Sequence, residues 1–456
     1  MPGPEPPAAG ASRDELVAWL DGHTDYEQAM PTRLRAPTLE RITELCRLLG
    51  DPQEACPVLH LTGTNGKGST ARILTRLLMA QGLSVGTYSS PNLARVNERL
   101  ARDGEPIDDE ELAEVLGSLA LLEPMLAARP SRFELLTAAA FSFFADSPVD
   151  VAVVEVGLGG RWDATNVAAG DVVAVTNVSY DHVEVLGPSL LDIAREKAGI
   201  VKPGSHLVVG ETSPPLVEVF EAAAEAAGTR ALWRRGPDFG CRANRLAVGG
   251  RLVELETPGG HYPELYLPLH GAHQGDNAAL ALAVAEAFFG APLAGETVEA
   301  ALASVSAPGR LEVVGRAPLV VLDGAHNVAG AEALATALAE LHPEGGAVAV
   351  VGMLRGRDPS AMFQALAGGG VASVVTCSAP SPRAFPAAEL CEAARAAGLE
   401  AKATESVVDA LTLARPMVAE DGLLVVTGSL YVVADARAVL VPEAAPVTGP
   451  DSLLGP

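Results

Sequence analysis

Seven residues, Gly63-Thr64-Asn65-Gly66-Lys67-Gly68-Ser69, carry the clearest chemistry in this chain. Glycines at this density let the backbone turn so that successive N–H groups point inward, Lys67 adds a cation, and a following helix would add its positive end. Those are the requirements for holding the phosphates of a nucleoside triphosphate, with Thr64, Asn65, Gly66, Lys67, Gly68 and Ser69 as the contacts. The loop is not of the Walker form GxxxxGK[ST]: it is two residues shorter before Gly66-Lys67, and Gly68 stands where a magnesium-binding hydroxyl is expected. A metal at this site therefore needs ligands from elsewhere in the chain. Glu155 is one candidate, because it closes an apolar strand, and a carboxylate at the C-terminal end of a parallel strand faces the binding crevice.

The elements around these residues have to present the loop and the carboxylate at the same sheet edge. Val58 to Thr62 reads as a short strand into the loop, and Ala71 to Gln81 as a helix out of it. Upstream, Leu39, Ile42, Leu45 and Leu48 recur at helical spacing, so Thr38 to Leu49 reads as an amphipathic helix after a loose N-terminal tail. Strands are expected at Val149 to Val156 and Asp171 to Thr176, and helices at Ser131 to Phe144 and Leu190 to Ala198. This alternation implies a largely parallel sheet. From His206 to Leu269 a helix near Pro215 to Ala227 precedes a β-rich stretch whose hairpins fall at Gly249-Gly250 and Gly259-Gly260, and an Ala-rich helix follows over Asp276 to Phe289.

After Val298 to Val305 the turn-forming Ala307-Pro308-Gly309-Arg310 breaks the pattern, which places a domain boundary there and divides the chain into 1–306 and 307–456. Beyond it, strands at Leu319 to Leu322, Ala347 to Val351, Ala372 to Thr376 and Leu423 to Thr427 alternate with helices at Ala329 to Leu341, Ala387 to Ala397 and Val407 to Ala414. The expected fold class is α/β: an N-terminal P-loop-type parallel-sheet ATPase domain and a smaller C-terminal Rossmann-like α/β domain. The segment from Pro442 to Pro456 reads as a disordered tail.

Composition narrows the partners. With 57 Asp and Glu against 32 Lys and Arg, the formal charge of -25 over 456 residues offers no footprint for nucleic acid or an anionic membrane. The five cysteines are scattered without CxxC spacing, which suits a reducing cytoplasm, and neither an export signal nor a stretch of about 18 apolar residues is present. The expectation is a cytoplasmic monomer acting on small molecules.

A set of motifs extends the reading. Pro37-Thr-Leu-Glu-Arg-Ile42, the phosphate loop, Ser90-Pro-Asn-Leu93, Glu155-Val-Gly-Leu-Gly-Gly-Arg-Trp-Asp-Ala-Thr-Asn166, Asp181-His182, Glu196-Lys-Ala-Gly-Ile200, His273-Gln274 with Asn277, Pro308-Gly-Arg310 and Asp323-Gly-Ala-His-Asn327 occur in this order. From about Tyr26 to Arg437 the chain resembles the folylpolyglutamate synthase/dihydrofolate synthase family of the Mur ligase superfamily. That resemblance implies an ATP-dependent ligase that joins a folate or dihydropteroate carboxylate to L-glutamate through an acyl phosphate. It implies Ser90, Glu155 and His182 as ligands of one or two magnesium ions, and Asn277, Arg310 and Asp323 as further nucleotide contacts. Phe133 and Asp163 fall where the family binds the pterin ring, with Glu134, Trp162 and Ala164 beside them. Lys197 falls where the family carries a CO₂-modified lysine, so carbamylation is expected there. Lys67, Glu155, His182, Lys197 and Arg310 form the expected catalytic set, with the two domains closing on ATP about the Pro308-Gly309 turn.

Some positions depart from the family pattern: Asn92 replaces a usual His, Trp162 a common Leu, and Gly356-Arg357-Asp358 an Asp-Lys-Asp. They leave open a specialised paralogue joining an amino acid to another carboxylate, or a non-catalytic nucleotide-binding protein. A GTPase-like switch would need a Walker hydroxyl and a guanine-reading motif, neither of which is visible. A Mur enzyme acting on UDP-MurNAc would be expected to place roughly 100 residues before the loop.

Overall fold

The computed structural model describes residues 5–8, 10–27 and 38–441. Both expected tails lie wholly or partly outside these residues, as does Pro37 of the first family motif. The chain divides into two compact units. The first takes 1–243, 254–265 and 275–301; the second takes 244–253, 266–274 and everything from Leu302 onward.

An eight-stranded sheet organises the first unit. Its strands are β1 (Val58–Thr62), β2 (Val85–Tyr88), β3 (Leu100–Arg102), β4 (Glu105–Pro106), β5 (Val151–Glu155), β6 (Gly170–Val175), β7 (His206–Val209) and β8 (Ala231–Arg234). They lie in the order β4-β3-β2-β5-β1-β6-β7-β8. From β2 to β8 every neighbouring pair is parallel, while β3 and β4 add an antiparallel edge. All five residues of β1 and of β5 are buried, as continuous apolar strands covered on both faces must be.

Around this sheet run α1 (Arg13–Asp21), α2 (Glu40–Leu48), α3 (Lys67–Ala80), α4 (Asp109–Leu122), α5 (Arg132–Asp146), α6 (Val183–Leu186), α7 (Leu190–Lys197), α8 (Pro214–Ala227), α9 (His273–Phe289) and α10 (Gly295–Ala303). Leu16, Leu20, Ile42, Leu45, Leu112, Leu116, Leu135 and Phe144 form one apolar layer with Ala152 and Val154 of β5. Ile193, Leu216 and Phe220 form another with Val173, Val175 and Leu207 of β6 and β7. The strands β9 (Gly240–Ala247), β10 (Gly250–Thr257) and β11 (Gly260–Leu267) make a three-stranded sheet, so the hairpin turns at Gly249-Gly250 and Gly259-Gly260 do form.

In the second unit, β12 (Glu312–Arg316), β13 (Leu319–Leu322), β14 (Ala347–Val351), β15 (Val371–Thr376), β16 (Glu400–Ala403) and β17 (Leu423–Thr427) lie in the order β12-β13-β17-β14-β15-β16. Only β12 runs antiparallel to its neighbour. Its helices are α11 (Val328–Leu341), α12 (Pro359–Gly368), α13 (Ala387–Ala396), α14 (Val407–Ala414) and α15 (Leu430–Leu440).

The helix after the phosphate loop starts at Lys67 and not at Ala71, because Gly66 takes a left-handed φ of 86° and serves as its N-cap. Sequence periodicity alone hid that first turn, whose residues face the loop. It also hid β2, too short and too Gly-rich to register, and α4, although Asp108 and Glu111 form a capping box at its start.

Candidate active site

The strand order places β2, β5, β1 and β6 side by side, so the loops that leave their C-terminal ends are neighbours. Those loops carry Ser90, Glu155, the phosphate loop and the Thr176–His182 segment, in that spatial order. This is the crevice edge where an open parallel sheet binds ligands.

The phosphate loop is pinned by the segment after β6. Thr64 N–H donates to Asn177 O at 2.9 Å and Asn65 N–H to Asn177 Oδ1 at 3.0 Å. Asn65 O accepts from Thr176 Oγ1 at 2.6 Å and from Asn177 Nδ2 at 2.9 Å, while Ser179 N–H donates to Thr64 Oγ1 at 3.0 Å. On the opposite side Thr62 Oγ1 donates to Gly159 O at 2.8 Å. Lys67 folds over the turn, its Nζ donating to Gly63 O at 3.1 Å and Thr64 O at 3.3 Å. A Cβ on Gly66 would lie 2.5 Å from Asn277 Oδ1, so α9 packs close against the loop, and the φ of 86° at Gly66 favours glycine there. That contact brings the expected nucleotide residue Asn277 to the loop. Thr176, Asn177 and Ser179 were missed in the sequence; they are polar residues just past a strand, and only the adjacency of β6 to β1 gives them a target.

Glu155 is buried at the end of β5, paired in register with Leu61 of β1. Its Oε2 lies 3.5 Å from where a Cβ on Gly68 would stand, and it accepts from Ser90 N–H at 3.4 Å. The carboxylate thus faces the position that a Walker hydroxyl would occupy, with Ser90 beside it. His182 sits after β6 in a left-handed conformation (φ 50°), its Nε2 3.6 Å from Asp181 Oδ1. Among the described residues, no group of three or more His, Cys, Asp and Glu side chains is arranged to hold a metal. The Ser90 and Glu155 oxygens are nonetheless the hard donors a magnesium ion takes, with phosphate oxygens able to complete its shell.

Lys197 is buried at the end of α7, and no ion-pair partner is recorded for it among the described residues. Burial, joined by the charge of Lys67, pushes its ammonium down to about 7 against the opposing carboxylates of Asp181, Glu196 and Asp163. Asp163 is buried as well. Its carboxyl is pushed up to about 6 by desolvation, although Oδ1 accepts from Thr165 N–H at 3.0 Å and from Thr165 Oγ1 at 2.5 Å, and Oδ2 from Leu158 N–H at 2.9 Å.

The remaining expected substrate residues divide. Phe133 packs over Gly157, where a Cβ would come within 2.5 Å of its ring, and its ring centroid lies 5.9 Å from that of Tyr88. Trp162 is 47% exposed beside Asp163, and Ala164 is buried in the turn that follows. Glu134 is committed to structure: it closes the capping box of α5 with Ser131 and pairs with Arg41 Nε at 3.1 Å. Asn92 accepts from Arg99 Nε at 2.7 Å, and the buried Arg99 clamps Glu27 through both terminal nitrogens at 2.9 and 2.6 Å. That cluster was not anticipated, since Glu27 lies 72 residues from Arg99 in sequence.

In the second unit, Asp323 follows β13 and is buried, with Oδ2 accepting from Leu311 N–H and Oδ1 from Ala325 N–H, both at 2.9 Å. Burial raises its pKa, opposed chiefly by the Arg310 guanidinium. Asp358, in the altered Gly356-Arg357-Asp358 stretch, caps α12 through Ala361 N–H at 3.1 Å.

Residues 61–285 match the Mur ligase middle domain, and residues 309–430 match the Mur ligase glutamate ligase domain. The chain is 39% identical over 477 residues to a dihydrofolate synthase/folylpolyglutamate synthase of Mycobacterium tuberculosis, covering 95% of this chain and 97% of that protein. Among solved structures it resembles Mycobacterium tuberculosis folylpolyglutamate synthase complexed with ADP, with a TM-score of 0.87 at 39% identity over 96% of this chain and 100% of the other. It also resembles an FPGS-AMPPCP-folate complex, with a TM-score of 0.81 at 32% identity over 94% and 100%. No helix among the described residues is long and apolar enough to cross a membrane.

Proposed function

The chain belongs to the folylpolyglutamate synthase/dihydrofolate synthase family of Mur ligases, and from that premise we propose that it forms an amide bond between a folate or dihydropteroate carboxylate and L-glutamate at the expense of ATP. The observation that carries this reading is the pairing of a phosphate loop that has Gly68 in place of the Walker hydroxyl with the Glu155 carboxylate, 3.5 Å from where a Cβ on Gly68 would stand. Such a site moves the metal-holding function from the loop to neighbouring strand ends.

The pterin carboxylate attacks the γ-phosphorus of ATP, forming an acyl phosphate and releasing ADP. The glutamate amine then attacks the acyl carbon, and the tetrahedral intermediate expels phosphate as the amine loses its proton. The chain's own part is positioning and charge neutralisation. The backbone of 64–69 and Lys67 Nζ hold the phosphates, and Lys67 leaves its contacts with Gly63 O and Thr64 O to do so. Asn277 lies beside the loop; on the family resemblance we assign Arg310 and Asp323 as further nucleotide contacts, and we place the domain boundary at 306/307. Ser90 and Glu155, with His182, would hold magnesium, which when bound neutralises phosphate charge. Phe133 and Trp162 offer aromatic faces to the pterin and p-aminobenzoyl rings, and Asp163 Oδ2 accepts from a ring N–H.

Lys197 is the residue we assign to carbamylation. An amine with its pKa near 7 is substantially neutral at physiological pH and can add CO₂, releasing one proton and leaving a carbamate anion. We place the enzyme in the cytoplasm as a monomer. The acceptor is tested by mass spectrometry of products from ATP, L-glutamate and a panel of pterin acids. Glutamylated dihydropteroate or folate with stoichiometric ADP is the expected result. Release of ADP without any glutamylated pterin would overturn this assignment in favour of another carboxylate acceptor.

A further inference from the structure

His60 sits in the middle of β1, wholly buried, on the strand that feeds the phosphate loop. An imidazole at 0% exposure in an apolar strand needs a reason, and its one hydrogen bond among the described residues joins Nε2 and Thr165 Oγ1 at 2.9 Å. The same Thr165 hydroxyl lies 2.5 Å from Asp163 Oδ1. Three side chains from two segments more than 100 residues apart thus form one buried chain leading to the carboxylate at the pterin end of the crevice.

The protons in this chain can be placed. Asp163 as a carboxylate only accepts, so the single hydroxyl proton of Thr165 is committed to Oδ1. Thr165 Oγ1 must then accept from His60, which fixes the imidazole as the Nε2–H tautomer. Nδ1 is left as a bare acceptor, and it has no partner among the described residues. Burial, reinforced by the charge of Lys202, pushes the His60 pKa down to about 3, so the ring stays neutral and keeps this one-way donor pattern. Oδ1 of Asp163 is saturated by Thr165, while Oδ2 receives only Leu158 N–H and retains an acceptor position.

We propose that His60 is a positioning residue for the acceptor substrate, acting through Thr165 to hold Asp163 so that Oδ2 remains open to a donor N–H of the pterin ring. This rests on the reading of Asp163 as a pterin contact. His60 touches neither substrate nor phosphate; its Nε2–H orients the Thr165 hydroxyl, and the hydroxyl orients the carboxylate.

The test uses the full-length enzyme with steady-state kinetics for both substrates. His60→Leu removes the donor and is expected to raise KM for the pterin acid roughly ten-fold, the effect of losing one buried hydrogen bond, with KM for ATP within two-fold of wild type. His60→Gln, whose amide can donate from nearly the same place, should recover most of that loss. Thr165→Val should reproduce it, Thr165→Ser should not, and the double variant His60→Leu/Thr165→Val should be no worse than Thr165→Val alone, because both act through one chain. An unchanged pterin KM in His60→Leu, or a parallel rise in both KM values, would overturn the proposal; the latter marks a strand that has shifted the loop as well. If His60→Leu does not fold, the Thr165→Val and Thr165→Ser pair decides alone: equal pterin KM in the two overturns it. Asp163→Asn serves as the separate control. An unaffected pterin KM there refutes the role of Asp163 itself, whereas a large effect there with none in His60→Leu refutes only the relay.

Discussion

Two parts of the same crevice edge are built on opposite principles. The phosphate loop is held by neutral hydrogen bonds to Thr176, Asn177 and Ser179, and its ligand-binding groups are backbone N–H groups plus the single cation of Lys67. The cluster beyond β5 and α7 places ionisable side chains out of water: Glu155, Asp163 and Lys197 are all buried, and burial moves Asp163 up to about 6 and Lys197 down to about 7. The first region works by geometry; the second works by environment. At Lys197 the cost is local instability, because a buried ammonium loses its hydration.

The largest effect should come from the one charge of the geometric region. Lys67→Ala should cut kcat on the order of 10³-fold, as expected for removal of a group that stabilises transferring phosphoryl charge, while leaving the fold intact, since the side chain bonds only to loop carbonyls. Near-wild-type ADP production by the soluble variant would break the distinction at its first term.

In the environmental region, Glu155→Gln keeps the shape but removes the charge that faces Gly68. The magnesium concentration for half-maximal activity should rise roughly ten- to a hundred-fold. An unchanged magnesium titration would show that the carboxylate does not hold the ion.

Lys197→Met sharpens the comparison because it separates stability from activity. A buried lysine whose folded pKa lies below its unfolded value carries its full penalty below about pH 7, where both states are protonated. That penalty falls away between pH 7 and 10.5, where only the unfolded chain still holds the proton. At about 1.36 kcal/mol per pKa unit the penalty is of order 3–5 kcal/mol. The variant should therefore be inactive yet melt higher than wild type at pH 6 in CO₂-free buffer, and the gap should shrink as pH rises towards 10. Equal melting temperatures at pH 6 would show that Lys197 bears no desolvation cost.

Much of this is legible in the amino-acid sequence. The loop announces itself because its function depends on local backbone freedom, and a strand before it and a helix after it are short-range patterns. The alternation of strands and helices likewise carried the two α/β units. The helix start at Lys67 was not readable, since Gly66 as N-cap breaks the usual polar-cap rule. The contacts of Glu134 were legible in part: its capping box with Ser131 is a local pattern, whereas its pairing with Arg41, 93 residues away, is made by the fold.

The amino-acid sequence by itself determined the phosphate loop, the glycine at 68 in place of a Walker hydroxyl and the family motifs that name Glu155, Asp163 and Lys197, because each is a matter of residue type at short spacing. Only the tertiary structure decided that Thr176 and Asn177 anchor the loop, that Arg99 bonds Asn92 and clamps Glu27, and that His60 reaches Asp163 through Thr165. Those relations follow from the strand order β2-β5-β1-β6 and from the burial it creates. A neighbour made by a crossover has no fixed offset along the chain, and a pKa set by exclusion of water belongs to the packed site and not to the residue.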